Sequence, residues 1–255
     1  MIKFSVSREA LIRPLQLVSG VVERRQTLAV LSNLLINLEG KQLSLTGTDL
    51  EVELVGRLAT EESGTDGEIT VPAKKLVDIV KSLPDDAIVT LAVDESRAVL
   101  TSGRSRFTLS TLPASEFPSV EDEEDTLRFS VDQQVLKKLI DATAFAMAQQ
   151  DVRYYLNGML LEINQGRLRT VSTDGHRLAM SSSDAQVETD ERRQVIVPRK
   201  GILELSRLLG EGAGEVDVAL GSSHIRVKTA GFTFTSKLVD GKFPDYERVL
   251  PRGGD

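Results

Sequence analysis

The chain has no cysteine and only two histidines, His176 and His224. Disulfides and thiolate metal sites are excluded, and a histidine-rich metal centre has too few ligands. This composition fits a cytoplasmic protein. No apolar run approaches membrane-spanning length, and the opening residues MIKFSVSREA lack a signal peptide's apolar core. Positive charge is in deficit: 31 lysines and arginines against 38 acids give a formal net charge of −7. As a sum that argues against a nucleic-acid partner, although the distribution of charge decides such binding. Catalytic signatures are wanting as well. There is no nucleophile elbow, no Walker-type loop and no metal-ligand spacing, and carboxylate pairs occur only in solvated runs. A hydrolase using Asp174 and His176 is the enzymatic alternative, but no nucleophile motif completes it. The expectation is a protein without catalysis, cofactor or metal.

What the chain does have is repetition. Its 255 residues suffice for two ordinary domains. Val71-Pro72 returns as Val197-Pro198, and Phe117-Pro118 as Phe243-Pro244. Thr48-Asp49 returns as Thr173-Asp174, and Phe4-Ser5-Val6 as Phe129-Ser130-Val131. Four landmarks keep their order at an offset of about 125 residues, as two copies of one domain would.

Each copy opens with a strand, Lys3 to Val6 or Arg128 to Val131, and an amphipathic helix follows. Ser7 and Asp132 stand where N-caps belong. Leu11, Leu15, Val18 and Val22 share one face of the first helix; Leu136, Leu139, Ile140 and Phe145 share one face of its counterpart. Pro14 should kink the first helix or weaken its opening turns. Alternating strands come next, and a second helix starts at Pro72 or Pro198, where proline suits the first helical position. Hairpin strands close each copy. The helices expected are 8–22, 74–83, 133–148 and 198–209. The order strand, helix, strands, helix, strands reads as a βαβββ unit used twice per domain, an α+β architecture. Five consecutive acids, Glu121 to Asp125, join the copies as a solvated linker; an acidic partner-binding patch is the other reading.

Charge is sorted by element. The four expected helices hold ten basic residues against four acids, a surplus of six, so the rest of the chain carries −13. If all four helices face the same way, an acidic protein presents one positive surface to a polyanion. The alternative is that lysine and arginine populate solvent faces because they form helices well. Two further features are bland on their own. Tyr154-Tyr155 beside an apolar strand reads as half-buried packing, and Asp174-Gly175-His176-Arg177 as a strand-connecting turn.

Longer strings carry more. LTGTDLEVEL (45–54), SGRSRFTLSTLP (102–113), QDVRYYLNGML (150–160), STDGHRLAM (172–180), VPRKG (197–201) and FTSKLVDGKFPDYERVLP (234–251) closely resemble the bacterial β sliding clamp family, the processivity subunits of DNA polymerase III. The resemblance runs from end to end of the chain. It implies the DNA clamp fold: two tandem homologous domains, 1–125 and 126–251, with helices on the inner face and antiparallel sheets outside. Clamps of the family carry three such domains and close head to tail as homodimeric rings around duplex DNA. On this reading 252–255 begin the linker to an absent third domain, so the chain is expected to be a monomer that cannot encircle DNA. A protein-interaction scaffold without DNA encirclement is the alternative.

The resemblance also assigns residues. Arg25, Gln150, Tyr154, Tyr155, Arg199 and Lys200 match DNA-contacting positions, which would hold phosphates without reading sequence. Leu156, Thr173, Gly175, His176, Arg177, Leu178, Pro244, Arg248 and Val249 match a pocket for short peptide motifs of partners. Those partners are the DNA polymerase III catalytic subunit, the clamp loader and repair polymerases. Lys75, Arg97, Arg104, Arg106, Phe107 and Leu109 match the ring seam, where Phe107 and Leu109 are expected on an exposed strand. The implied role is a non-catalytic subunit of a DNA-directed DNA polymerase, cytoplasmic, with no membrane partner.

Overall fold

A computed structural model describes residues 2–23, 28–60, 62, 64–94, 97–118, 120, 124–185, 187, 189 and 191–251. The chain divides into two compact units, Met1–Asp122 with Lys228–Thr235, and Glu123–Val227 with Ser236–Asp255.

The first unit runs β1 (Lys3–Ser7), α1 (Arg8–Val21), β2 (Asn33–Glu39), β3 (Gln42–Thr48) and β4 (Val52–Ala59). It then repeats itself as β5 (Gly67–Pro72), α2 (Ala73–Ser82), β6 (Ile88–Asp94), β7 (Arg97–Ser102) and β8 (Ser105–Ser110). The βαβββ unit is thus used twice, and the two uses exchange their opening strands. β1 pairs antiparallel with β6 in the sheet β1-β6-β7-β8, while β5 pairs with β2 in the run β5-β2-β3-β4. Neither half-unit is therefore complete without the other. The buried faces of α1 and α2 supply the core from the helical side: Leu11, Leu15, Val18 and Val21, then Ala73, Leu76, Val77 and Val80.

The second unit follows the same plan with β9 (Leu127–Asp132), α3 (Gln133–Thr143), β10 (Gly158–Asn164), β11 (Arg167–Thr173) and β12 (Leu178–Asp184). Its second use of the motif is β13 (Arg193–Pro198), α4 (Arg199–Leu208), β14 (Glu215–Leu220), β15 (His224–Lys228) and β16 (Phe232–Lys237). Here β13 joins β10 in the sheet β12-β11-β10-β13, and β9 joins β14. The division between the units falls within β16, whose first four residues count with the first unit. No described helix is long and apolar enough to cross a membrane.

Several sequence expectations need correction. β5 and β13 were not expected, yet each is the strand that opens the second βαβββ use. Pro72 and Pro198 end those strands, opposite Asn33 and Gly158, and the helices begin one residue later. α1 runs through Pro14 without a break. A mid-helix proline costs about 3 kcal/mol. Four fully buried aliphatic side chains at about 1.5–3 kcal/mol each outweigh it. The fourth is Val21; Val22 is only half-buried. α3 stops at Thr143 and tightens into a 3-10 turn, Ala144–Ala146. Phe145 is 60% exposed; at about 100° per residue it already lies roughly 140° around the helix from Ile140, so it does not share the buried face. The caps are where the sequence places them: Ser7 Oγ accepts the Ala10 N–H at 3.3 Å, and Asp132 Oδ1 accepts those of Gln134 and Val135 at 2.9 and 3.0 Å. Each such cap contributes about 1 kcal/mol.

Candidate functional site

The chemistry concentrates in the second unit, around the loop that follows α3. Leu156, Leu160, Val171, Ile196, Phe243 and Tyr246 form one apolar cluster, with Tyr155, Leu178, Val239 and Leu250 packed half-buried against it. β10 and β11 supply the floor, and the segment after β16 supplies a wall. Leu156 and Leu178, far apart in sequence from Phe243 and Tyr246, are brought to the same place. Pro244, Arg248 and Val249 stand exposed on that wall.

The turn from β11 to β12 forms another edge. Thr173 Oγ1 accepts the Gly175 N–H at 3.1 Å and donates to Arg177 O at 2.7 Å. Asp174 Oδ1 accepts the main-chain N–H groups of His176 and Arg177, each at 3.0 Å, and its Oδ2 accepts Arg177 Nε at 3.0 Å. These bonds, the Arg177 N–H first, hold the Asp174 carboxyl below its ordinary range. The Arg177 guanidinium also lies over the Phe145 ring, 5.6 Å from its centroid. This is an ordered Asx turn, and the His176 ring is not among the described partners of Asp174.

A third edge is the loop 147–157. Arg153 grips Asp151 by two bonds, Nε to Oδ1 at 3.0 Å and Nη2 to Oδ2 at 2.8 Å, and reaches Asp174 O at 3.3 Å. The side-chain bonds from Arg153, then its main-chain N–H donating to Asp151 Oδ1 at 2.8 Å, lower the Asp151 carboxyl to about 2. Arg153 was not anticipated. Neither was Asn157, whose Oδ1 accepts from Asp151 N–H and whose Nδ2 donates to Asp151 O, both at 2.9 Å. The Asn157 carbonyl then accepts the Arg199 N–H at 2.9 Å, fastening the loop to the start of α4. Three arginines of the site are each paired with an aspartate: Arg153 with Asp151, Arg177 with Asp174, and Arg248 with Asp245.

That fastening places the expected DNA contacts. Gln150, at φ +54°, and Tyr154 and Tyr155 lie on the loop; Arg199 and Lys200 open the helix bound to it. Tyr154 is exposed and meets Tyr155 edge to face, with centroids 5.7 Å apart. Tyr155 instead packs half-buried against the apolar cluster, so the two tyrosines have different surroundings. Arg25 lies outside the described residues. With the observed bounds the helices keep their ten basic and four acidic residues. Part of that charge is paired internally, as in Arg8–Asp85, Lys137–Asp141 and Arg207–Glu204. Among the described residues no group of three or more metal-ligating side chains could hold an ion.

The expected seam residues lie in the first unit. Arg97, Arg104, Arg106, Phe107 and Leu109 belong to the hairpin β7–β8, and Lys75 sits exposed on α2, a separate element. Leu109, opposite Ala98, is 2% exposed. The expectation that it stands on the surface is therefore wrong: it is a core residue, and only Phe107, half-buried, reaches solvent.

Two family models match the chain in succession. The DNA polymerase III beta subunit N-terminal domain covers residues 2–121, and its central domain covers 130–245. The chain belongs to the β sliding clamp family. The clamp of Pseudomonas aeruginosa is 68% identical over 252 residues, which are 99% of this chain and 69% of that protein. The clamp of Escherichia coli is 51% identical over 253 residues, again 99% and 69%. A crystal structure of the Pseudomonas aeruginosa clamp bound to griselimycin superposes with a TM-score of 0.97 at 67% identity, covering 100% of this chain and 69% of that one. The fold is thus that of the DNA clamps, with four α-helices and antiparallel sheets among the described residues, and sliding clamps are processivity factors rather than catalysts.

Proposed function

We propose that this chain forms part of a sliding clamp of DNA polymerase III, which at the length of its relatives tethers the polymerase and other replication and repair proteins to duplex DNA. The observation that carries this reading is the apolar cluster of the second unit where it meets the surface. Leu156, Phe243 and Tyr246 are buried in it, Leu178 and Leu250 are half-buried against it, and Val249 is exposed beside it, with three arginine–aspartate pairs nearby; we infer a peptide-docking groove there. An apolar recess with a few fixed polar groups suits short peptide segments that insert large apolar anchors. The polymerase catalytic subunit, the clamp loader and repair polymerases are the partners proposed to dock there. Basic residues on the helices, together with Gln150, Tyr154, Arg199 and Lys200, are proposed to meet DNA phosphates without reading bases.

The 255-residue polypeptide by itself is proposed to be a monomer. The head-to-tail ring is assigned to chains with the length of the relatives, through Lys75, Arg97, Arg104, Arg106 and Phe107. Sedimentation should show a monomer at micromolar concentration; a closed dimer would contradict this part of the reading.

The groove is tested by titrating the chain with a short fluorescein-labelled peptide ending in Leu-Phe. Saturable binding is expected, weakened at least about tenfold by Leu178→Asp, which puts an unpaired charge against the apolar anchors. Equal binding by the variant, or none by the wild type, would overturn the assignment.

A further inference from the structure

The Phe243–Leu250 wall of the groove has no strand to hold it. Among the described residues its main-chain hydrogen bonds stay inside its own turn: Arg248 N–H to Asp245 O at 3.3 Å and Val249 N–H to Tyr246 O at 3.2 Å. Side chains tie it down instead. Phe243 and Tyr246 are buried in the apolar cluster, and beneath Tyr246 lies Glu162, only 2% exposed in the middle of β10.

A carboxylate at that depth persists only when its oxygens are satisfied. Glu162 accepts from Arg192 Nε at 2.8 Å, Gln194 Nε2 at 2.7 Å, Arg169 Nη1 at 3.2 Å and Tyr246 Oη at 3.0 Å. Burial pushes its carboxyl up, but the hydrogen bonds from Gln194, Arg192 and Tyr246 outweigh burial and leave it below the ordinary range. The Tyr246 hydroxyl is saturated in turn. It donates to Glu162 and accepts from Arg169 Nη1 at 2.7 Å and Arg192 Nη2 at 3.3 Å. Arg192 continues to Glu247 Oε1 at 3.0 Å, the residue after Tyr246.

Among the described residues, the polar links from the body of the unit to this wall therefore pass through one cluster. We propose that Glu162 is a positioning residue: through Tyr246 and Arg192 it fixes where Pro244, Arg248 and Val249 stand, and so sets the affinity of the groove for peptide. The proposal rests on the reading of the groove as a peptide-docking site. Glu162 touches no peptide itself.

The test compares amide hydrogen exchange and Leu-Phe peptide titration in the wild-type 255-residue chain, Tyr246→Phe and Glu162→Gln. Tyr246→Phe keeps the ring in the core and removes one hydroxyl, so it decides the matter even if Glu162→Gln fails to fold. Exchange in 243–250 is expected to quicken about tenfold in Tyr246→Phe, with α3 amides unchanged and peptide affinity reduced about fivefold. A general loss of stability would quicken α3 as well, and that result overturns the proposal. Unchanged exchange in 243–250 overturns it too, as does quickened exchange with unaltered affinity. If the wild type takes up no peptide, the docking reading falls; the exchange data then decide whether the cluster positions the wall.

Discussion

The Cβ that any other residue would carry at Gly175 lies 3.0 Å from both Nη atoms of Arg153. Gly175 also has φ +88°, a left-handed conformation that side chains rarely tolerate. Arg153 is a half-exposed side chain that can give way there, at the cost of disturbing its two bonds to Asp151. The missing side chain at Gly175 leaves room for Arg153 to reach Asp174 O at 3.3 Å.

Gly175→Ala should cost about 1–2 kcal/mol through the strained backbone and the displaced guanidinium. Thermal unfolding checks the cost. Peptide titration should show weaker binding in the same variant.

Asp151 supplies a pH dependence. Its carboxyl is at about 2 in the fold, against 3.8 for the unperturbed group. A depressed carboxylate contributes stability that is complete above the unfolded value and disappears as pH falls through the folded one. The contribution should therefore hold above pH 3.8 and be lost toward pH 2. A carbon-13 NMR titration of the Asp151 carboxyl should give the low midpoint in the wild type. In Arg153→Ala the midpoint should move back toward the unperturbed value.

DNA binding by the chain should be weak and strongly salt-dependent. Reversing both charges in Arg199→Glu/Lys200→Glu should lower affinity at least about tenfold and flatten the log–log salt slope by about two units, one for each phosphate left unneutralised. Fluorescence anisotropy over a salt series measures both quantities. Unrelated duplex sequences should behave alike.

At the seam, Phe107→Asp and Leu109→Asp should part company. Leu109→Asp buries a carboxylate beside Ala98 of β7 and should destabilise the first unit by about 3–5 kcal/mol. Phe107→Asp loses only a half-buried ring and should cost no more than about 1–2 kcal/mol. Denaturant unfolding of the two variants separates them.

The duplication, the charge sorting and both helix caps can be read from sequence because each is local or strictly periodic. β5 and β13 cannot: GEITVP and RQVIVP are short, polar at the start and closed by proline, so the helix-like run after each proline dominates the pattern. Leu109 is misplaced by sequence because strand alternation shows that Phe107 and Leu109 share a face, but not which face the core occupies. Phe145 is misplaced against the helical period itself: at about 100° per residue it lies roughly 140° from Ile140, away from the buried stripe. The Glu162 cluster draws on positions between 7 and 84 residues apart, so no local pattern announces it. One trace exists: a glutamate inside GMLLEIN, a strand apolar on both faces, is a charge that must find partners.

The most direct test of the clamp reading is topological. Residues 1–251 are joined to the remainder of the Pseudomonas aeruginosa clamp, in place of its matching portion, and loaded onto circular DNA carrying bound protein blocks. Retention that survives on the circle and is lost on linearisation is the predicted result. Equal retention on circular and linear DNA, or none on either, would contradict the account.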